Sequence, residues 1–98
     1  MATSFTITLS GVPQPWTHWL PQWWDGEKWV PAGELPLSLH AHWHDVGVPG
    51  QLGFHLKEYD TGQLSNFLLG PSFAPQESGH YIYDMTSGVL EDRTWRLR

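Results

Sequence analysis

Hydrophobic and polar residues alternate along most of this chain, and a period of two is typical of β-strands. Phe5, Ile7 and Leu9 alternate with threonines in the first segment, and apolar residues alternate with serine and histidines over 37–44. Ten glycines and eight prolines interrupt the chain so often that long helices are excluded. The pattern therefore predicts an all-β fold.

Turn signals between the alternating segments predict a small β-sandwich of about seven to eight short antiparallel strands. We expect further strands over 52–57 and 64–69, a loop over 70–79, a strand over 81–85 and a last strand that points Trp95 and Leu97 inward. A turn is expected over 45–50. With 98 residues and no linker composition, residues 1–98 are predicted to form one domain.

The first third of the chain is unusually rich in tryptophan, and prolines interrupt it. Residues 13–31 are predicted to form an arm that ends in a hairpin around Asp25-Gly26, a strong two-residue turn signal that would pair Trp24 with Glu27. In that register two of the tryptophans share one face diagonally. The candidate binding residues of the arm are Trp16, Trp19, Trp23, Trp24 and Trp29.

Three roles are open for these five rings. They could form a small secondary core, dock on another protein, or stack on the faces of sugars, because indole serves all three purposes. Trp43 and Trp95 instead stand on apolar strand faces and are predicted to be core residues.

A His-x-His-x-His run places His40, His42 and His44 on one face of a predicted strand, with His55 on the outward face of the next strand. Imidazoles at i and i+2 can bind zinc, so these four are candidate metal ligands. The cupin family uses a similar His-x-His, but it also needs a glutamate that this segment lacks. The alternative is an ordinary polar strand face, and we expect no cofactor.

Composition excludes several classes of protein. The formal net charge is −5 and the five basic residues form no cluster, which argues against nucleic acid as a partner. The absence of cysteine excludes disulfides and cysteine-based zinc sites. There is neither a secretion-signal pattern nor an apolar run long enough for a bilayer, so we expect no membrane partner and a location in a virion or the cytoplasm.

Catalytic motifs are absent from the sequence. Asp60-Thr61-Gly62 matches the triplet of aspartic proteases, but Tyr59 and Gln63 flank it where that family has apolar residues. Asp-Thr-Gly is also ordinary turn chemistry. The sequence therefore predicts a protein that is not an enzyme.

Two resemblances add to this picture. Residues 37–98 resemble an immunoglobulin-like or fibronectin type III-like sandwich, and Glu77-Ser78-Gly79-His80-Tyr81 is similar to its tyrosine corner, in which the tyrosine hydroxyl bonds to upstream backbone. Residues 24–31 (Trp-Asp-Gly-Glu-Lys-Trp-Val-Pro) resemble hairpins of phage tail and other virion proteins. These resemblances imply an immunoglobulin-like structural module of a virion, such as a capsid-decorating or tail-associated protein.

Together these observations predict a non-enzymatic module that docks on the protein subunits of a larger assembly, including further copies of itself. The first alternative is a carbohydrate-binding module with exposed tryptophans. The second is a histidine-rich, metal-dependent small β-barrel.

Overall fold

A computed structural model describes residues 2–33 and 39–94 of the chain. These residues form eight strands in two four-stranded sheets, and the chain has a radius of gyration of 12.8 Å. The strands are β1 (Ala2–Ser10), β2 (His18–Trp24), β3 (Trp29–Pro31), β4 (His40–Gly47), β5 (Gly50–Lys57), β6 (Leu68–Phe73), β7 (Gly79–Asp84) and β8 (Val89–Asp92).

The first sheet has the strand order β4-β1-β7-β8 and the second the order β3-β2-β5-β6. The prediction of an all-β sandwich of about eight strands is confirmed. One pairing differs from the expected pattern, because β1 runs parallel to β7 while the other five pairings are antiparallel. The short turn between β4 and β5 carries the chain from the first sheet to the second.

Alternation along β1 explains why this segment becomes a central strand. Phe5, Ile7 and Leu9 have at most 1% of their surface exposed, whereas the threonines between them are half-buried on the other side. On β5, Leu52, Phe54 and Leu56 are buried in the same way. Each sheet thus turns one apolar face inward, and the two faces meet in one core.

Aromatic rings fill much of this core. The Trp23 ring contacts Phe5 edge to face with centroids 4.9 Å apart, and it contacts Phe73 at 5.4 Å. Phe5 in turn stacks on Trp43 at 5.5 Å. Because edge-to-face and offset contacts suit the ring quadrupoles, this cluster adds specific geometry to the area that it buries.

The segment expected to be an arm is instead part of the sandwich. Trp19 and Trp23 on β2 have 0% of their surface exposed, and β2 lies between β3 and β5. The arm predicted over 13–31 therefore contains a central strand of the second sheet, β2, followed by the hairpin. The pattern of β2 was hard to recognise because Pro21 and the adjacent Trp23-Trp24 obscure the alternation.

The hairpin exists, but its predicted register is wrong. Trp24 pairs with Trp29 rather than with Glu27, so the loop has four residues instead of two. The Asp25 carboxylate explains the longer loop, because its Oδ1 accepts the backbone N–H of Glu27 and of Lys28, both at 2.9 Å. This Asx-type capping stabilises the four-residue turn locally.

Two other strands differ from expectation in their boundaries. The strand expected over 64–69 begins only at Leu68, since 64–67 hold an isolated bridge between Leu64 and Lys57, and β6 continues to Phe73 into the expected loop. β4 continues to Gly47 through a bulge at Asp45, where the expected turn was to begin. Trp95 and the start of the expected strand at 37 lie outside the described residues.

The tyrosine-corner hydrogen bond predicted at Tyr81 is confirmed. The Tyr81 hydroxyl accepts the backbone N–H of Gln76 at 2.9 Å, five residues upstream. Gly79 makes room for this contact, because a Cβ there would lie 2.7 Å from Cε2 of the Tyr81 ring. The bond fixes the entry of the chain into β7.

The three buried tryptophans should respond differently to replacement by phenylalanine. The indole N–H of Trp23 donates to the Gly47 carbonyl at 2.9 Å and that of Trp43 to the Val30 carbonyl at 3.0 Å. The indole N–H of Trp19 has no hydrogen-bond partner among the described residues. Each change leaves a similar cavity, but Trp23→Phe and Trp43→Phe also remove the hydrogen bond from the indole to a carbonyl.

We therefore expect Trp23→Phe and Trp43→Phe to lower the free energy of unfolding by about 1 kcal/mol more than Trp19→Phe does. Urea unfolding followed by circular dichroism measures the three values. An equal or greater loss for Trp19→Phe would contradict the assignment of an unpartnered N–H at that position.

Candidate functional site

The outer side of the second sheet carries a cluster of aromatic and aliphatic side chains. Trp24 of β2 and Trp29 of β3 are directly opposite each other, with ring centroids 5.4 Å apart. Phe67, just before β6, packs against Trp29, and Leu69 pairs with Gly53 across the β5–β6 ladder. We call Trp24, Trp29, Phe67 and Leu69 the aromatic face.

The rings of the aromatic face hold one another in place. Trp29 and Phe67 meet edge to face, with centroids 5.0 Å apart and an interplanar angle of 80°. Phe67 also contacts the His55 ring at 5.2 Å, and Nδ1 of His55 is 3.0 Å from the Ser65 carbonyl. Because each ring rests on its neighbour, little rotamer freedom is left to lose when a partner binds.

Gly53 lies beneath the aromatic face and determines how closely the rings approach the sheet. A Cβ at this position would collide with the tip of the Phe67 ring and would lie 2.7 Å from Cζ3 of Trp29. The glycine therefore provides the depression in which both rings lie. Two rings that would otherwise project into solvent instead lie against the backbone of β5.

The β2–β3 loop positions two of the three rings. Asp25 closes this loop through the two backbone hydrogen bonds already described, and its own N–H donates to the Lys28 carbonyl at 3.1 Å. The hydrogen bonds from the N–H groups of Lys28 and Glu27 lower the pKa of the Asp25 carboxyl below its ordinary value of 3.8. The ionised carboxylate thus stabilises the hairpin that presents Trp24 and Trp29.

The five tryptophans singled out in the sequence do not form one surface. Trp19 and Trp23 are core residues and have no exposed area with which to contact a partner, which corrects their expected role. Trp16 is half-buried and packs on the edge of the core. Trp24 and Trp29 keep part of their surface exposed and lie together, as their predicted shared face requires.

Two residues of the aromatic face were not predicted. Phe67 is 37% exposed and Leu69 is 62% exposed. Both fall within the strand expected over 64–69, and local alternation there does not indicate that they lie beside the tryptophans. The detectable signal was Gly53 within a strand, since glycine there often marks the close approach of another group.

The histidines are divided between the two sheets. Nδ1 of His42 is 2.8 Å from the Thr6 hydroxyl, Nδ1 of His40 is 2.7 Å from the Thr8 hydroxyl, and the His42 and His44 rings lie 4.3 Å apart. His55 belongs to the second sheet, so it cannot complete a site with the other three. Within 2–33 and 39–94, no group of three or more His, Cys, Asp or Glu could hold a metal ion.

Comparison with known proteins adds no family to this geometry. No family model matches the chain, and no curated protein or solved structure is significantly similar to it. In the part of the chain that the structure describes, no helix is long and apolar enough to cross a membrane. The absence of catalytic activity stays a prediction from the sequence.

Replacement of Gly53 by alanine should disturb the aromatic face while leaving the fold intact. The new methyl group displaces the Phe67 and Trp29 side chains, which are at the surface and can move. We expect a cost of about 1–3 kcal/mol and a clear change in tryptophan fluorescence. Gly33→Ala is the control, because a Cβ there has no neighbour closer than 3.5 Å.

Unchanged fluorescence in Gly53→Ala, with folding retained, would show that the rings do not lie over this glycine. Circular dichroism and the amide spectrum of each variant report whether the sandwich persists.

Acidification should loosen the β2–β3 hairpin. The folded-state pKa of Asp25 is lowered, so its contribution to stability is present above the ordinary carboxyl pKa and is lost as the pH falls through the lowered value. We expect the Asp25 carboxyl to titrate below 3.8 by carbon-detected NMR, with the Trp24 and Trp29 amide signals shifting in parallel.

Asp25→Asn is the control for this titration, because its amide oxygen can still accept a hydrogen bond but carries no titrating charge. The parallel shifts should disappear in this variant. A titration midpoint at or above the ordinary value would contradict the capping role.

Proposed function

We propose that this domain is a non-enzymatic interaction module that docks through its aromatic face on the protein subunits of a larger assembly. The supporting observation is a contiguous, partly exposed apolar surface on a rigid sheet, with Trp24 and Trp29 at one end and Phe67 and Leu69 at the other. Aromatic residues anchored in this way are the residues that most often dominate the energetics of protein interfaces.

The composition of the aromatic face supports an apolar protein surface as the partner rather than a charged ligand. Its four members carry no charge, and the β2–β3 loop next to Trp24 and Trp29 carries the exposed Glu27 and Lys28. A centre without charge and a charged margin match the arrangement of stable protein interfaces. Burial of Leu69 and Phe67 against a partner would remove their apolar area from water.

In its most concrete form the proposal is a structural protein of a virion, such as a capsid-decorating or tail-associated protein. The support for this form is the resemblance of residues 24–31 to hairpins of virion proteins. In the structure those residues present the two tryptophans of the aromatic face. The hairpin would then be the element that contacts a neighbouring subunit.

A carbohydrate-binding module is a second candidate, and one observation favours it. Gln51 is directly opposite Trp24, and Gln22 precedes it by two residues on β2, so two amides flank this ring. The face of a sugar can stack on such a ring, and its hydroxyls can form hydrogen bonds with the amides beside it. Against it, the edge-to-face contact of Trp29 and Phe67 gives no flat platform of coplanar rings.

The homo-oligomeric form of the proposal is tested by the association of the chain with itself. We expect sedimentation equilibrium to show reversible association, with a Kd below about 1 mM. Leu69→Ser and Phe67→Ser should each weaken it by tenfold or more, about 1.4 kcal/mol, because each removes apolar area from the contact.

Val89→Ser is the matched control, because Val89 is an aliphatic residue on β8 of the other sheet with 58% of its surface exposed. A chain that stays monomeric up to about 1 mM would contradict self-association. A tryptophan fluorescence change with one member of a glycan panel, abolished in Gln51→Ala, would favour the carbohydrate-binding candidate instead.

A further inference from the structure

The outer side of the first sheet has a different chemistry from the aromatic face. In the strand register, His42 of β4, Thr6 of β1 and His80 of β7 form one row across the sheet. Arg93 extends this row, because its backbone N–H donates to the His80 carbonyl at 2.7 Å. We call this row, together with His40 and Thr8 of the next row, the histidine–threonine face.

Hydrogen bonds hold the side chains of this face in fixed positions. The Thr6–His42 and Thr8–His40 contacts of 2.8 and 2.7 Å join β1 to β4 side chain to side chain. The backbone N–H of His80 donates to the Thr94 hydroxyl at 3.0 Å. A set of polar groups held in place by such bonds loses little entropy when it receives a ligand.

A cavity of about 370 Å³ opens between these groups. Its lining includes Thr6, Thr8, His40, His80, Ile82 and Arg93. Its volume is within the range of small-molecule sites, and its combination of an apolar floor with a few polar groups is typical of them. The floor is the Ile82 side chain, which stands next to Thr8 on the neighbouring strand.

Arg93 carries the charge of this cavity. Among the described residues no carboxylate lines the cavity, and with histidine neutral Arg93 is the charged residue of its lining. Arg93 forms an ion pair with Glu91, whose Oε1 is 2.8 Å from Nε. A guanidinium has five N–H donors in a fixed fork, so one arginine can contact a second acceptor beside its ion-pair partner.

We propose that the cavity of the histidine–threonine face binds the carboxylate or phosphate group of a small molecule. Arg93 supplies the charge, and the Thr8 hydroxyl and the His80 ring supply directional hydrogen bonds. The apolar part of the ligand rests on Ile82. This site is separate from the proposed docking surface, because the aromatic face lies on the opposite sheet of the sandwich.

Amide chemical shifts of the isotope-labelled chain of 98 residues test the proposal. The probes are inorganic phosphate, benzoate and, as the neutral analogue of benzoate, benzyl alcohol. We expect benzoate or phosphate to shift the amides of Thr6, Thr8 and His80 in a saturable way, with benzyl alcohol at least tenfold weaker because it lacks the charge. Preference for benzoate over phosphate would identify an organic carboxylate as the ligand class, and the reverse a phosphate.

Two variants test the residues. Arg93→Gln should weaken binding of the preferred anion at least tenfold, and Thr8→Val should weaken it severalfold through loss of one hydroxyl. Lys28→Gln is the control for net charge, since it removes one positive charge from an exposed loop outside this face, and it should leave the affinity unchanged.

The proposal is overturned by any of three results. They are the absence of saturable shifts at these amides with either anion, equal binding of benzyl alcohol, and equal loss of affinity in Lys28→Gln and Arg93→Gln. The comparison of benzoate with benzyl alcohol uses the unaltered chain, so it decides the question even where a variant fails to fold.

Discussion

The packing of Trp23 is the contact on which the rest of the structure depends. Its ring lies between the sheets, contacts Phe5 of β1 and Phe73 of β6, and donates its N–H to the Gly47 carbonyl. A Cβ on Gly50 would lie 2.6 Å from its Nε1, so the turn from β4 to β5 must be free of a side chain there. One indole thus fixes the sheet spacing, the turn that joins the sheets and the strand that carries the hairpin.

The two outer faces depend on this core in different ways. The aromatic face belongs to the same sheet as Trp23. The packing of Trp23 in the core fixes β2, which carries Trp24, and Gly53 on β5 determines how closely Trp29 and Phe67 approach the sheet. The histidine–threonine face is carried by β1, whose inward residues Phe5 and Ile7 are fully buried. Each face therefore consists of surface side chains on rigid strands, and strands position a site more precisely than loops do.

The sequence was sufficient for the fold class but not for the site. Strict alternation at Phe5, Ile7 and Leu9 made β1 predictable, and the Tyr81 hydroxyl behaved as its local motif required. The role of Trp19 was not predictable, because burial of a ring depends on which strand becomes central, and that is set by pairing between distant segments. Phe67 and Leu69 join Trp29 only through the β5–β6 pairing, and no local pattern encodes that register.

The parallel pairing of β1 with β7 has a consequence for how the protein folds. Each residue of β1 in this ladder pairs with a residue 74 positions further along the chain, as Phe5 does with Gly79. Until β7 docks, β1 has β4 as its strand partner and an unpaired edge on its other side. Because such a long loop must close before the pairing is gained, we expect the β1–β7 ladder to form late in folding.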